Sequence, residues 1–511
     1  MTGSSRLADL LAALSVATDH AMGQEPEKSM RAAVLATSVA GELGLSPSET
    51  ADVYYATLLK HLGCTATTSE EAASFGPDER SMRAVAERTD DADLREAIAF
   101  LGVLGRGAGL GRLAIVGRTL ATGSGAVRRI HRAVCEVGAR MAARLDLGPG
   151  VERSLAEVTE RWDGKGGPRK LAGEDLSLVT RIAEPATQAV IFRRLGGDEA
   201  MMRMLRRREG GMFDPAVART VRALAPEVLG RLDDEDPWDA VLAAEPDPVR
   251  TVTRPGLRGL ADAFADMVDL QSTFTLGHSA GVADLAARAA GHAGIGDPEL
   301  VRIAGLLHDV GRTAVATGVW EKQGPLTRTE WERVRLHAYH TERILGRSSA
   351  LTEVAAIAAM HHERQDGSGY HRGARAGAVP AEARLLAVAD AFHAMTEERP
   401  HRPALTVARA AETVLLEVDA GRFDPECARA VLEVAGSPPR RAREPWPAGL
   451  SEREVEVLRL VSRGRSNKEI AAELVISVRT AEHHVQHIYG KIGASTRASA
   501  AMFAMEHGLL R

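Results

Sequence analysis

The chain has 511 residues, of which 45% are hydrophobic but only 4% aromatic, and a formal net charge of −5. That length calls for several domains, the abundance of Ala, Leu and Arg favours helices over sheets, and so small a charge excludes global steering of polyanions. Cys64, Cys135 and Cys427 lie far apart with no CxxC, which excludes a disulfide framework or a thiolate site and fits a reducing cytoplasm. The opening stretch, MTGSSRLADLLAALSVATDH, reads as an amphipathic helix rather than a signal peptide. No run of about 20 apolar residues offers a membrane span.

The first half reads as a copy of the second. ERWDGKGGP (160–168) parallels ERQDGSGYH (363–371), and an arginine follows 21 residues after each glutamate, Arg181 and Arg384. Both halves then reach Phe-Asp-Pro, at 213–215 and 423–425, and ATLLKHLG (56–63) sits where AGLLHDVG (304–311) sits later. A duplicated helical bundle is the simplest account. The two copies differ in chemistry: Lys60-His61 stand at His308-Asp309, Val158-Thr159 at His361-His362, Thr187 at Asp390, and Lys28 near His278. Lysines would repel a metal pair, so residues 1–228 are expected to hold no binuclear site. GRGAGLGR (105–112) lacks the G-x-G-x-x-G spacing of a phosphate cradle and reads as a loop.

Residues 229–255, acidic and proline-bearing, read as a connection between lobes, and a helix over 256–270 follows. Chemistry then gathers. An apolar helical run, EVAAIAAM (353–360), ends in His361-His362, and a glycine-rich turn, Asp366-Gly367-Ser368-Gly369-Tyr370, comes next. His278, His308-Asp309, His337 and Asp390 are spaced from that pair and from one another by 24 to 30 residues. One helix of about 11–12 residues plus a connection fills such an interval, so successive antiparallel helices return each group to one end of a bundle. A lone histidine would read as a core or surface residue; the ordered set does not. Five imidazoles and two carboxylates exceed the about four ligands of a tetrahedral zinc. They suit two six-coordinate divalent ions of the iron or manganese kind, which can activate a nucleophile and clamp a phosphoryl group.

LLHDVGR (306–312), His337, HHERQDGSGY (361–370) and VAD (388–390) resemble the HD-GYP group of the HD phosphohydrolase superfamily, over roughly 272–435. The resemblance implies an all-α domain with a binuclear or trinuclear centre that hydrolyses cyclic di-GMP. It implies His278, His308, Asp309, His337, His361, His362 and Asp390 as metal ligands, with Asp309 bridging. It further implies Arg399 and Arg402 as a phosphate-binding pair, helped by Arg312, with Asp366, Gly367, Gly369 and Tyr370 framing the substrate. Three departures stand out. Arg312 replaces a frequent lysine, offering a planar fork in place of a point charge. Gly369-Tyr370-His371 lacks the family's proline. Phe274 stands where trinuclear members carry a glutamate, which favours two metals over three.

After a Pro/Arg linker (437–449), the last 62 residues carry their own signals. Ser451 with Glu454 and Ser466 with Glu469 form capping boxes that open helices 452–462 and 467–475. Ser477 can cap 478–491, and a fourth helix over about 496–507 stops at Gly508. The tight link at 475–477 is that of a helix-turn-helix. LSEREVEVLRLVSRGRSNKEIAAELVISVRTAEHHVQHIYGKIG resembles the DNA-binding domain of LuxR-type regulators, with Ala481 in place of a usual valine. The resemblance makes 478–491 the recognition helix. It puts Arg479, Thr480, His483, His484 and Gln486 toward bases or phosphates, and Lys468 and Lys491 toward phosphates. Nine Lys/Arg against seven Asp/Glu in this domain do not themselves distinguish a DNA reader from a protein-interaction module; the resemblance does.

The expected architecture is all-α: a degenerate HD lobe (1–228), a connection (229–255), an HD-GYP-like lobe (256–436), a linker and a four-helix LuxR-type domain (450–511). The expected function is a cytoplasmic transcription regulator, a homodimer on double-stranded DNA. Its second lobe is a metal-dependent phosphodiesterase for a cyclic dinucleotide. A non-catalytic ligand sensor and a hydrolase of another phosphorylated nucleotide stand beside it as alternatives.

Overall fold

The structure, a computed structural model, describes residues 4–104, 112–436 and 446–510. Residues 105–111 of the expected GRGAGLGR loop and 437–445 of the expected linker therefore lie outside the described residues. The chain divides into two compact units, Met1–Gly259 and Leu260–Arg511. It is all-α: the described strands are β1 (Ser5–Arg6) and β2 (Thr251–Val252), which pair antiparallel with Ser5 opposite Val252.

The first unit is built from α1 (Leu7–Ala21), α2 (Lys28–Glu42), α3 (Pro47–Leu58), α4 (Arg112–Arg144), α5 (Pro149–Ala156), α6 (Leu178–Arg208), α7 (Pro215–Asp234) and α8 (Pro237–Ala243). Its start signals are chemical. Ser46 and Glu49 close a capping box around Pro47, and Asp214 caps α7 through the amides of Ala216 and Val217. These satisfy first-turn N–H groups that no helical carbonyl reaches. α2 packs on α3, α6 and α7.

The expected connection over 229–255 is instead folded into this unit. α7 runs on to Asp234, and α8 packs against α1 and α2. The Tyr54 hydroxyl donates to the Val241 carbonyl at 3.0 Å and the Tyr55 hydroxyl to the Glu245 carboxylate at 2.5 Å. The acidic and proline residues that read as linker are helix-start chemistry: Asp236 accepts from the Trp238 amide and Pro237 takes the first helical position.

The second unit repeats the plan with α9 (His278–Ala293), α10 (Pro298–Leu307), α11 (His337–Leu345), α12 (Thr352–Ala358), α13 (Ala381–Met395), α14 (Val407–Asp419) and α15 (Pro425–Ala435). α9 is the central element, packed on α10, α13 and α15. The duplication holds down to single contacts. Asp19 accepts from the amide and hydroxyl of Ser29, as Asp269 does from Ser279. Glu160 accepts from the amides of Arg169 and Leu171, as Glu363 does from Arg372 and Ala374. Arg181 pairs with Asp214 and Arg384 with Asp424.

The C-terminal helices are α16 (Glu452–Ser462), α17 (Asn467–Glu473), α18 (Val478–Ile492) and α19 (Arg497–Glu506). Both expected capping boxes are formed, and Ser477 caps α18 through the Thr480 amide. A further box, Thr496 with Ser499, opens α19. Leu458, Ile470, Val485, Ile488 and Phe503 share one apolar core. Ala481 is fully buried at that core, so its departure from valine is a matter of packing volume.

Gly311 shows how tightly helix ends must meet. A Cβ there would lie 2.1 Å from the His337 carbonyl oxygen and 2.4 Å from the Thr341 nitrogen. Its counterpart, Gly63, would meet the Val134 carbonyl oxygen at 2.1 Å. Gly311→Ala is expected to destabilise the chain by about 1–3 kcal/mol, the usual cost of forcing atoms into packed space. Urea unfolding read by circular dichroism checks this, with an unchanged midpoint counting against so close an approach.

Candidate metal centre

Five helices deliver polar residues to one place. His278 is the first residue of α9, His308 and Asp309 follow α10, and His337 opens α11. His361 and His362 follow α12, and Asp390 lies within α13. All but the partly buried His362 are at most 6% exposed. Burying this many polar groups is costly unless each finds a partner.

The inner partners are one another. Asp309 Oδ1 lies 3.4 Å from His337 Nε2 and 3.7 Å from His361 Nε2. Its Oδ2 lies 3.5 Å from His308 Nε2 and 3.9 Å from His278 Nε2. The carboxylate thus faces two separate histidine groups, one with each oxygen. Asp390 completes the second side, 3.3 Å from His278 Nε2 and 3.8 Å from His362 Nδ1.

The outer partners fix the ring orientations. His308, His337 and His361 each donate Nδ1–H to the carbonyl three residues earlier, Gly305, Val334 and Ala358, at 2.7, 2.5 and 2.7 Å. That leaves each Nε2 as a lone pair aimed into the cluster, the form a metal ligand needs. Burial and the neighbouring imidazoles hold His361 down to about 3 and His362 well below the usual imidazole range, so both are neutral. Burial alone would raise Asp309, yet its carboxyl is held well below the usual carboxylate range, with the Arg312 guanidinium beside it.

The donor set fits divalent metal. His308 Nε2 is buried with no hydrogen-bond partner among the described residues. His337, His361 and His362 offer ligand atoms within 4.8 Å of one another, as do His278, His308 and Asp390, and as do His308, Asp309 and His361. Two such groups sharing Asp309 match a pair of ions.

Among the expected substrate residues, Arg312 stands at the cluster's edge, NH1 3.4 Å from Asp309 Oδ2, its guanidinium 3.8 Å over the Trp320 ring. The Tyr370 ring lies 4.6 Å from that of His362. Gly369 permits this: a Cβ would lie 2.5 Å from the Glu363 Cα and the His362 carbonyl oxygen. Asp366 and Gly367 shape the turn itself, Asp366 accepting from the Ser368 amide at 2.9 Å and Gly367 adopting φ +81°.

Both arginines of the expected phosphate-binding pair are engaged within the chain. Arg402 directs NH1 to the Met395, Glu397 and Pro403 carbonyls and NH2 to the Ala394 carbonyl. Its charge closes the C-terminal end of α13, where unpaired carbonyls favour a cation. Arg399 is engaged by Glu397, 2.8 Å away, and by the Phe274 carbonyl. Residues not anticipated are Glu397, whose carboxylate lies 2.8 Å from His278 Nδ1, His393, Trp320 and the half-exposed Trp331, whose ring lies 6.2 Å from Tyr370. His393 follows Asp390 by three residues on the same helix, a signal that was available, whereas Glu397 lies past the helix end at Met395.

The first unit fills the equivalent region differently. Lys28 Nζ lies 3.2 Å from the Glu87 carboxylate and 3.1 Å from His61 Nδ1, while His61 Nε2 lies 2.8 Å from Glu87. Lys60 pairs with Glu184. An ammonium within the chain supplies the positive charge there.

In the helix-turn-helix, Lys468, Arg479, Thr480, His483 and Gln486 are exposed and His484 is half-buried. Lys491 Nζ is held by the Glu454 carboxylate at 2.7 Å and the Gly449 carbonyl at 3.0 Å, bracing α18 against the start of α16.

The HD domain family matches residues 262–427, and the luxR family of bacterial regulatory proteins matches 448–504. The 3'3'-cGAMP-specific phosphodiesterase 3 of Vibrio cholerae serotype O1 is 30% identical over 432 residues, covering 82% of this chain and 93% of that protein. A match that long exceeds the second unit and so includes the first. The cyclic di-GMP phosphodiesterase response regulator of Xanthomonas campestris pv. campestris is 39% identical over 136 residues, 26% of this chain and 35% of the relative. A crystal structure of a cyclic GMP-AMP-specific phosphodiesterase of V. cholerae superposes with a TM-score of 0.60 at 26% identity, covering 86% of this chain and 99% of that one. With family, relative and solved fold agreeing over the lobe that carries the histidine–aspartate cluster, the chain belongs to the HD-GYP-type HD-domain phosphodiesterases, which are metal-dependent hydrolases, here joined to a LuxR-type domain.

Proposed function

We propose that the chain hydrolyses a 3',3'-linked cyclic purine dinucleotide and binds double-stranded DNA as a homodimeric, cytoplasmic transcription regulator. The observation that carries the catalytic half is the single carboxylate, Asp309, facing a histidine group with each oxygen. Two divalent ions, iron or manganese by the oxygen-and-imidazole donor set, would be held by His278, His308, Asp309, His337, His361, His362 and Asp390. When bound, they supply Lewis acidity and a water of lowered pKa. The protein's own groups do the rest. Arg312, pre-ordered on Trp320, presents charge to the phosphate, and Tyr370 with Trp331 offers ring faces on which a purine can stack. Water adds across one P–O bond, and the ring opens to a linear dinucleotide.

Both cyclic di-GMP and 3'3'-cGAMP belong to this class. The relative matched across both lobes is specific for 3'3'-cGAMP, whereas those matched over shorter segments include cyclic di-GMP enzymes. That coverage favours 3'3'-cGAMP as the first substrate to test. The DNA-binding half rests on the LuxR-family match and on the exposed row of Arg479, His483 and Gln486 along α18. A module this small needs two copies for a specific site, with half-sites about one helical turn apart.

Elemental analysis of the chain purified anaerobically is expected to find two transition-metal ions. Asp309→Ala should lower dinucleotide hydrolysis by at least about a thousandfold, while circular dichroism stays close to wild type because apolar helix faces carry the fold. Full activity in that variant would defeat the metal reading. Trp331→Ala is expected to raise KM about tenfold, with Trp331→Phe restoring most of it, since stacking on any base is worth about 1–3 kcal/mol. For the DNA half, Arg479→Ala should weaken binding to a selected operator fragment about tenfold or more. Equal mobility shifts for both proteins would remove α18 from the interface.

A further inference from the structure

The structure assigns Glu397 as a positioning residue that orients His278 toward the metal pair, an inference resting on the metal reading above. His308, His337 and His361 are each steadied by a neutral backbone carbonyl. His278 differs: its Nδ1 lies 2.8 Å from the Glu397 carboxylate, while its Nε2 faces Asp390 and Asp309. A carboxylate behind a ligand imidazole fixes the ring, selects the tautomer and raises ligand basicity.

Glu397 is itself held by Arg399 and approached by His393. Oε2 receives the Arg399 guanidinium at 2.8 Å as well as His278, and Oε1 lies 3.3 Å from His393 Nδ1. Space for His393 comes from Gly281, where a Cβ would lie 2.0 Å from its Nε2. His278, His393 and Glu397 also have the spacing of a cation site. Arg399 argues against that use: its NH2 sits 3.3 Å from His278 Nδ1, and a guanidinium at that distance repels a further ion. The same geometry gives Arg399 its task, neutralising Glu397 so that the partly buried carboxylate does not become a competing ligand.

The test is manganese binding to the full chain, stripped of metal, by titration calorimetry, with Glu397→Gln and Glu397→Asp beside wild type. Glutamine keeps an acceptor for Nδ1–H but loses the charge. Dissociation constants for at least one of the two ions should rise about 10–100-fold in Glu397→Gln, with stoichiometry still two and partial recovery in Glu397→Asp. At saturating manganese, kcat should return toward wild type with KM unchanged. Unaltered manganese affinity in Glu397→Gln, or a loss confined to thermal stability, would overturn the assignment. So would a fall from three ions to two, which would make Glu397 a ligand. If wild type itself binds no manganese, the metal reading fails, an outcome distinct from any of these.

Discussion

A carboxylate buried among imidazoles is the constraint on which the second unit is built. Asp309 is 4% exposed, and an ionised carboxyl in such a place is sustained only by groups that favour its charge. The imidazoles that face it come from four different helix ends, so the ends must meet closely. Gly311 allows it by leaving no side chain between α10 and α11. Thr341 then bolts the contact, donating its hydroxyl to the His308 carbonyl at 2.8 Å and accepting from the Gly311 amide at 3.1 Å. The backbone that carries His308 and Asp309 and the backbone that carries His337 are thus one hydrogen-bonded piece.

The orientation of the clustered imidazoles follows a common rule. A histidine one turn past a helix carbonyl can give that carbonyl its Nδ1–H, which turns Nε2 away from its own helix and into the cavity. His308 and His361 do this just after their helices end, and His337 does it at the start of α11, toward Val334. Helix termini therefore serve twice here, as the points where elements converge and as the source of carbonyls not claimed by the helix.

Much of this arrangement was legible in the sequence, and the reasons are physical. Helix starts were readable because capping is local chemistry: Ser451, Ser466 and Ser477 cap where their spacing to the following residues requires. The seven clustered positions were readable because one helix plus one connection has a characteristic length. What escaped was long-range or ambiguous. Glu397 and His278 are separated by 119 residues, and no local pattern ties them. Arg402 and Lys491 carry flexible cationic chains that serve a phosphate or a helix-end carbonyl equally well on paper; in the fold each holds a carbonyl. Asp236 and Pro237 have the composition of a linker and of a helix start, and only the apolar contacts of Trp238 and Val241 decide between them.

The two units together separate what the fold needs from what the chemistry needs. The first keeps the Asp19–Ser29 clamp, the Glu160 loop bonds, the close approach at Gly63 and the Arg181–Asp214 pair. At six of the seven cluster positions its residues differ, with Lys28, Lys60, His61, Val158, Thr159 and Thr187 in their places. Its central region is instead held by Lys28, His61 and Glu87, whose carboxyl stays ionised despite burial because Lys28 and His61 lie against it. A bundle that forms with either filling does not owe its shape to the filling. The clamps, the glycine contacts and the buried apolar faces are sufficient, so the second unit's histidine–aspartate cluster is not required for the fold's stability.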